Sequence, residues 1–364
     1  MAVSSIVILV LTALVGLATV VSFIHVPHGA VRVFSFPRLQ ICVLAVVLLV
    51  AVLFAFPDGP LDSILVVVLI SSIVAQGFAI VQFTPLRRKQ SANWEGDPNG
   101  PETVSILSFN VKESNRDFAK ALATTRDCDP DIALFMETDQ RWVEALEPLR
   151  ENYPHVVSHP LANAYGMILF SRLELVDPEV KYLVMDEIPS IIATVKLKDG
   201  RPFRLYCVHP EPPVPAVDSL GRDAELVVVA RLVEKDRMPC LVIGDLNDVA
   251  WSATTRMFQR LSRLLDPRVG RGFYNTFDAR YPFMRWPLDH LFHDRRFQLV
   301  EMARLHFAGS DHFPMYFKLA LGKYEEGEVE MPDEADRDDR QEAREIEEGG
   351  RKLQRDPIGT DWES

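Results

Sequence analysis

CLVIGDLNDVAWSA, residues Cys240–Ala253, is an apolar strand that runs without pause into polar groups. Cys240–Gly244 reads as a buried strand, and Asp245, Asn247 and Asp248 follow it at once, with Trp251 just beyond. Asp and Asn are ordinary turn and helix-cap residues where a strand feeds a helix. The competing reading is a rigid strand that delivers ligands to a metal or a phosphate at its carboxyl end.

The other apolar runs end in the same way. VSILSFN ends on Asn110, DIALFMETD on Glu137 and RLYCVHP on His209. RWPLDHLF carries Asp289, and AGSDHFPMYF opens a strand with Asp311 and His312. Six such endings are hard to explain as turns, because buried amide and charged groups without partners are costly. They make sense if they converge on a cation and an anionic substrate. Asn, Asp and Glu are hard oxygen donors that suit Mg²⁺ or Mn²⁺. Histidines beside carboxylates supply proton donors and acceptors near neutral pH. The inventory describes metal-assisted hydrolysis of a phosphate ester.

The ordered series FN (Asn110), ME (Glu137), VHP (His209), GDLN (Asp245, Asn247), LDH (Asp289) and SDH (Asp311, His312) resembles the endonuclease/exonuclease/phosphatase, or DNase I-like, superfamily. The apolar N-terminal region resembles that of its membrane-anchored bacterial members. The resemblance implies a four-layer α/β sandwich of two mixed sheets, helices outside, and an enzyme that hydrolyses phosphoric esters. It implies Glu137 as principal metal ligand with Asn110 and Asp311 beside it. Asp245 would orient or deprotonate the attacking water, and Asn247 would hold a phosphate oxygen or the metal shell. His209 and His312 would contact the phosphoryl group, with Asp289 behind His312; Asp245 and His312 both remain open as the base. One departure stands out: Lys112 occupies a position where apurinic nucleases often carry an acid, which argues against a second ligand there and against a DNA-repair role.

Other readings compete at single positions. Glu137 could belong to an N-cap box before a helix at 140–149, and His209 could shape the EPPVP loop. His290 and His293 read as structural. The run Arg256, Arg260, Arg263, Arg268, Arg271, Arg280 and Arg285 reads either as solvated surface or as a phosphate-binding face. Arg256, Arg285 and Trp251 are the candidate substrate contacts, although a tryptophan here can equally be core.

Three apolar runs precede this region: Ile6–Ile24, Leu39–Phe56 and Ile64–Phe83. Each is close to the roughly 20 residues needed to cross a bilayer, and they read as three transmembrane helices. Arg32 and Arg38 in the first loop, and Arg87-Arg88-Lys89 after the third run, outweigh Asp58 and Asp62 in the second loop. This bias predicts a multi-pass protein of the inner or cell membrane with a cytoplasmic catalytic domain. The organisation expected is membrane region 1–86, linker 87–103, catalytic domain 104–322 and an acidic, disordered tail 323–364, which holds much of the formal net charge of -12. The four cysteines form no disulfide or zinc pattern. The expected substrate is a phosphodiester of nucleic acid or of a phospholipid headgroup, with a phosphatase or lipid-headgroup hydrolase as the alternative and a catalytically silent, membrane-tethered binding module as the non-enzymatic one.

Overall fold

A computed structural model describes residues 3–55, 60–323, 327 and 329–360. Asp58 of the second loop, and residues 324–326, 328 and 361–364 of the expected tail, lie outside the described residues.

The apolar runs form helices α1 (Val3–Val21), α3 (Arg38–Ala55) and α4 (Pro60–Ile80), with a short α2 (Gly29–Arg32) between the first two. They pack on one another through residues such as Val15, Ala45, Val52 and Leu69. The expectation of three spanning helices is corrected here. Among the described residues, Leu61–Phe83 is the one unbroken helix long and apolar enough to cross a membrane. The second run is a helix pair, Gly29–Ser35 and Arg38–Phe54, bent by 62°, and the first is the shorter Ser5–Val21.

The rest builds two sheets. Strands β1 (Thr103–Asn110), β2 (Ile132–Met136), β3 (His155–His159), β4 (Met167–Ser171), β10 (Phe297–Arg304) and β11 (Met315–Leu321) assemble in the order β10-β11-β1-β2-β4-β3. Strands β5 (Leu175–Tyr182), β6 (Pro189–Lys196), β7 (Pro202–Cys207), β8 (Cys240–Asp245) and β9 (Asp289–His293) assemble in that sequence. Both sheets are mixed: β1 and β2 run parallel, as do β7 and β8, and the remaining pairs are antiparallel.

Side-chain alternation along the strands makes the layers. Val104 and Ile106 of β1, Leu205 and Cys207 of β7, and Leu241 and Ile243 of β8 meet between the sheets. Their alternate neighbours face outward. Leu107 and Phe109 lie beneath α5 (Phe118–Cys128) and α6 (Gln140–Leu146). Tyr206 and Val242 lie beneath α7 (Leu220–Lys235) and α8 (Ala253–Ser262). The result is the expected four-layer sandwich.

The acidic tail departs from expectation. Its α9 (Arg337–Gly350) packs on the domain rather than remaining solvated: Ala343 and Ile346 join the cluster under α7, and Arg260 of α8 grips Asp339 through two hydrogen bonds of 2.7 and 2.5 Å. Charge density on one face did not prevent an apolar stripe on the other. The cysteines are free, with Cys207 and Cys240 buried.

Candidate active site

The alternation that builds the inter-sheet core also aims the polar strand ends. Asn110 follows Val104 and Ile106 in step along β1, and His209 follows Leu205 and Cys207 beyond β7. Asp245 follows Leu241 and Ile243 along β8, and Asp289 is in step with Leu291 of β9. Each therefore emerges at the end of the inter-sheet layer, where apolar packing gives way to polar contacts. Just before Asp245, Gly244 has φ +149°, and a Cβ there would fall 1.9 Å from the Val208 carbonyl oxygen. Only glycine lets β8 approach β7 this closely.

Asp245 is the hub. Its Oδ2 accepts from Asn110 Nδ2 at 3.0 Å and lies 3.4 Å from His312 Nε2 and 3.8 Å from His209 Nε2. Its Oδ1 accepts the Asn247 N–H at 2.9 Å. On the far side of His312, Nδ1 lies 2.8 Å from Asp289 Oδ2. Burial works against charge on His312, yet the carboxylates of Asp289 and Asp245 outweigh it and push its pKa up to about 10. His209 is the opposite case: burial dominates and lowers its pKa to about 4, so the ring is neutral at physiological pH. Its Nδ1 is buried without a hydrogen-bond partner.

Glu137 is half-buried beside Asn110, whose Nδ2 donates to its Oε1 at 2.7 Å. Burial, together with Asp311 and Asp245, raises its pKa to about 7. Asp311 pairs with Lys112 Nζ at 2.9 Å and with Arg280 at 3.5 Å. Burial opposes charge on Asp311, but His312, Lys112 and Arg280 hold its carboxyl below the usual range. Glu137 and Asn247 both have positive φ, 58° and 51°. Such conformations cost on the order of 1–3 kcal/mol each and recur where side chains must be aimed at a site. The reading of Glu137 as a helix cap does not hold, since Asp139 caps α6 by accepting from the Trp142 N–H.

The donor chemistry fits a hard divalent cation. Glu137 and Asp311 offer carboxylate oxygens in an acidic cluster, and a cation brought among them would offset both the burial and the repulsion that raise Glu137. Asn110 turns its NH₂ to Glu137 and Asp245, so it orders these carboxylates and would offer its oxygen to a cation only with the amide turned over. Asp245, Asp289 and His312 also present donor atoms within 4.8 Å of one another. There the imidazole sits between two carboxylates, which is the geometry of a hydrogen-bond relay.

Six of the expected residues, Glu137, His209, Asp245, Asn247, Asp311 and His312, line one cavity of about 200 Å³, and Asn110 is hydrogen-bonded to Glu137 and Asp245 of its wall. Asp289 stands one shell out, against His312. The three expected substrate contacts lie elsewhere. Trp251 is fully buried, donates from Nε1 to the Ser35 carbonyl and packs edge-on against Phe83, so it joins the catalytic domain to the apolar helices. Arg285 stacks on Phe313 and donates to the Ala279 carbonyl. Arg256 lies toward Arg38 and His25 at the apolar helices. Most of the arginine run is committed to internal partners: Arg268 to Asp266, Arg271 to Ser91 and Asn93, Arg280 to Asp278, and Arg260 and Arg263 to the C-terminal segment. His290 and His293 bond backbone carbonyls of Asp248 and Asp294, as structural residues do.

Residues not anticipated complete the site. Phe277 packs on His312 with ring centroids 4.9 Å apart, and Tyr165 lies 5.6 Å from His209. Arg222, also buried, donates to the Asn247 carbonyl at 3.0 Å while forking onto Asp223. No motif in the local sequence marks these three.

Residues 107–312, more than half of the 364-residue chain, match the family described as Endonuclease/Exonuclease/phosphatase family. No curated protein matches the sequence. Among solved structures, the human Nocturnin catalytic domain with bound sulfate anion has the same fold, with a TM-score of 0.51 at 17% identity over 65% of this chain and 99% of that one. D. rerio TDP2 complexed with single-strand DNA product gives 0.48 at 18% identity over 60% and 98% of the two chains. The endonuclease/exonuclease/phosphatase from Bacteroides vulgatus gives 0.49 at 18% identity over 60% and 99%. The chain belongs to the endonuclease/exonuclease/phosphatase family and is, like its members, a metal-dependent phosphoric ester hydrolase.

Proposed function

We propose that the protein is a membrane-anchored phosphodiesterase in which water attacks phosphorus directly, with Mg²⁺ or Mn²⁺ bound by Glu137, Asp311 and Asn110. The observation that carries this reading is the placement of Asp245, one carboxylate at the end of the inter-sheet layer that faces both histidines. A bound divalent cation supplies neutralisation of the phosphoryl oxygens and a more acidic water. The protein's own groups do the rest. Asp245 accepts the proton of the attacking water. His312, held between two carboxylates, donates to a phosphoryl or leaving oxygen as charge develops, and Asp289 keeps its ring in place. Neutral His209 donates a second hydrogen bond, and Asn247 holds a further oxygen.

Anchoring is supported by the apolar belt around the helices. Leu17, Val20, Leu53, Val67, Val74 and Phe78 are all exposed, an array that a water-facing surface does not carry. The first loop docks onto the catalytic domain, with Gly29 N–H donating to Val217 and Ser219 N–H to Pro27, so both lie on one side of the membrane, the side that the arginine bias makes cytoplasmic.

One observation favours a lipid-headgroup phosphoester over nucleic acid. An aromatic series leads from His312 through Phe277 and Trp286 to Phe36, two residues before α3 begins. Beside it, Tyr281, Phe283 and Met284 are exposed, and Gln40 of α3 donates to the Phe283 carbonyl. The site thus opens near the level at which α3 would enter a bilayer.

Calorimetric titration of Mg²⁺ into the full chain and its Glu137→Gln variant tests the metal assignment. Binding lost in the variant is expected, and equal affinity in both chains would exclude Glu137 as a ligand. Turnover of phospholipid vesicles with nucleic acid left intact would select the lipid substrate, and the reverse would select nucleic acid.

A further inference from the structure

Beyond α9 the chain turns back over the active site. Leu353 packs against the cluster of Tyr165, Met185 and Ile188. Arg355 then forks onto Glu211, with Nη1–Oε1 at 2.6 Å and Nη2–Oε2 at 2.9 Å, and the Ile358 N–H donates to the same Oε1 at 2.7 Å. Tyr165 closes the anchor by donating its hydroxyl hydrogen to the Ile358 carbonyl. Glu211 is only 1% exposed and lies two residues beyond His209, so the strap is tied to the loop that presents a site histidine. A charge-assisted fork on a buried carboxylate is a strong tether. Ile358 and Gly359 thereby become part of the wall of the catalytic cavity, together with Tyr165, His209 and Asn247.

We propose that this C-terminal strap, Arg355–Thr360, determines specificity: it walls the cavity on the His209 side, so the site takes a small or chain-terminal phosphoester that enters end-on. The inference rests on the phosphoesterase reading and narrows its substrate class. Cleaving an internal diester of a continuous polymer requires the chain to leave the scissile phosphate in two directions, and the strap occupies one of them. The cavity of about 200 Å³ also lies below the roughly 300–1,000 Å³ of sites that enclose larger ligands. None of these contacts depends on a bound cation, and the strap lies far from the family's strand-end residues in sequence.

The test uses full-length protein in detergent micelles with Mg²⁺ and two probes: bis-p-nitrophenyl phosphate, and a circular single-stranded oligonucleotide that has no ends. Wild-type protein should turn over the small diester and spare the circle. A chain ending at Gly350 should raise the ratio of circle cleavage to small-diester cleavage by at least about tenfold, the scale of discrimination that one steric misfit provides. An unchanged ratio in a truncated chain that still melts cooperatively would overturn the proposal, as would rapid circle cleavage by the wild type. Ile358→Ala checks the same wall without deletion, since its backbone contacts to Glu211 and Tyr165 remain: the ratio of circle to small-diester cleavage should rise, and an unaltered ratio would count against the strap. Failure of the wild type to hydrolyse either probe would instead refute the phosphoesterase reading itself.

Discussion

Replacing Arg222 with methionine tests how the site is held together. The guanidinium is buried, donates from Nε and Nη2 to Asp223 Oδ1 at 3.1 and 2.8 Å, and gives Nη1 to the Asn247 carbonyl at 3.0 Å. It also lies 3.7 Å from Asp248. Methionine fills similar space but removes the cation. Asp223 would keep Arg32, at 3.0 Å, and Ser219, at 2.9 Å, while the Asn247 carbonyl would lose its side-chain donor. Removing one partner of a buried ion pair costs about 3–5 kcal/mol, and the surviving Arg32 contact places this case near the lower end. For a domain of this size the melting temperature should fall by about 6–12 °C. Asn247 sits in a left-handed conformation fixed partly by that carbonyl, so kcat should fall on the order of 100-fold even below the melting range. Thermal melts by circular dichroism and Mg²⁺-dependent turnover at 15 °C separate the two effects. Arg222→Lys keeps the charge without the fork and should recover part of the stability and less of the rate. A melting temperature within about 2 °C of wild type and an unchanged kcat would refute the argument.

Other perturbations give distinct readouts. Burial pushes Glu225 up to about 8, above its unfolded value, so the folded chain is favoured most below about pH 4 and loses that advantage as pH rises toward 8. Glu225→Gln should therefore melt above wild type at pH 9 and alongside it at pH 4; a pH-independent difference would contradict the assignment. Trp251→Ala removes the buried ring that joins the domain to the apolar helices and should cost about 3–5 kcal/mol in denaturant melts, whereas a solvent-facing stacking residue would cost under about 1 kcal/mol. Asp289→Asn, assayed well below its melting range, should lower kcat by about 10²–10⁴-fold, because an amide cannot hold the His312 imidazolium; unaltered kcat would remove Asp289 from the relay.

Much of this site is legible in the sequence, and the reason is period two. The six apolar runs with polar ends became strands, and Asn110, His209, Asp245 and Asp289 share parity with residues that meet between the sheets. Their convergence therefore follows from alternation once two facing sheets are assumed. Strands β3, β5 and β10 escaped notice because they lie at sheet edges, where partial exposure erases the apolar pattern. For Trp251 the sequence leaves substrate contact and core both open, because it cannot show which element covers the ring, and Ser35, more than 200 positions away, accepts from it. The C-terminal segment misled through composition: its charge is real, but Arg231, Arg260 and Arg355 of the chain pair with Glu347, Asp339 and Glu211 across long separations. Long-range ion pairs leave no local signature.

The most direct test of the account is Mg²⁺-dependent hydrolysis of bis-p-nitrophenyl phosphate by the full-length protein and its Asp245→Asn variant, beside p-nitrophenyl phosphate as the monoester. The account predicts diester turnover that a chelator abolishes and Mg²⁺ restores, and a variant that melts like wild type yet is slower by at least about 10³-fold, as expected when a base is replaced by an isosteric amide. Turnover that survives chelation, or an Asp245→Asn variant as fast as wild type, would contradict it.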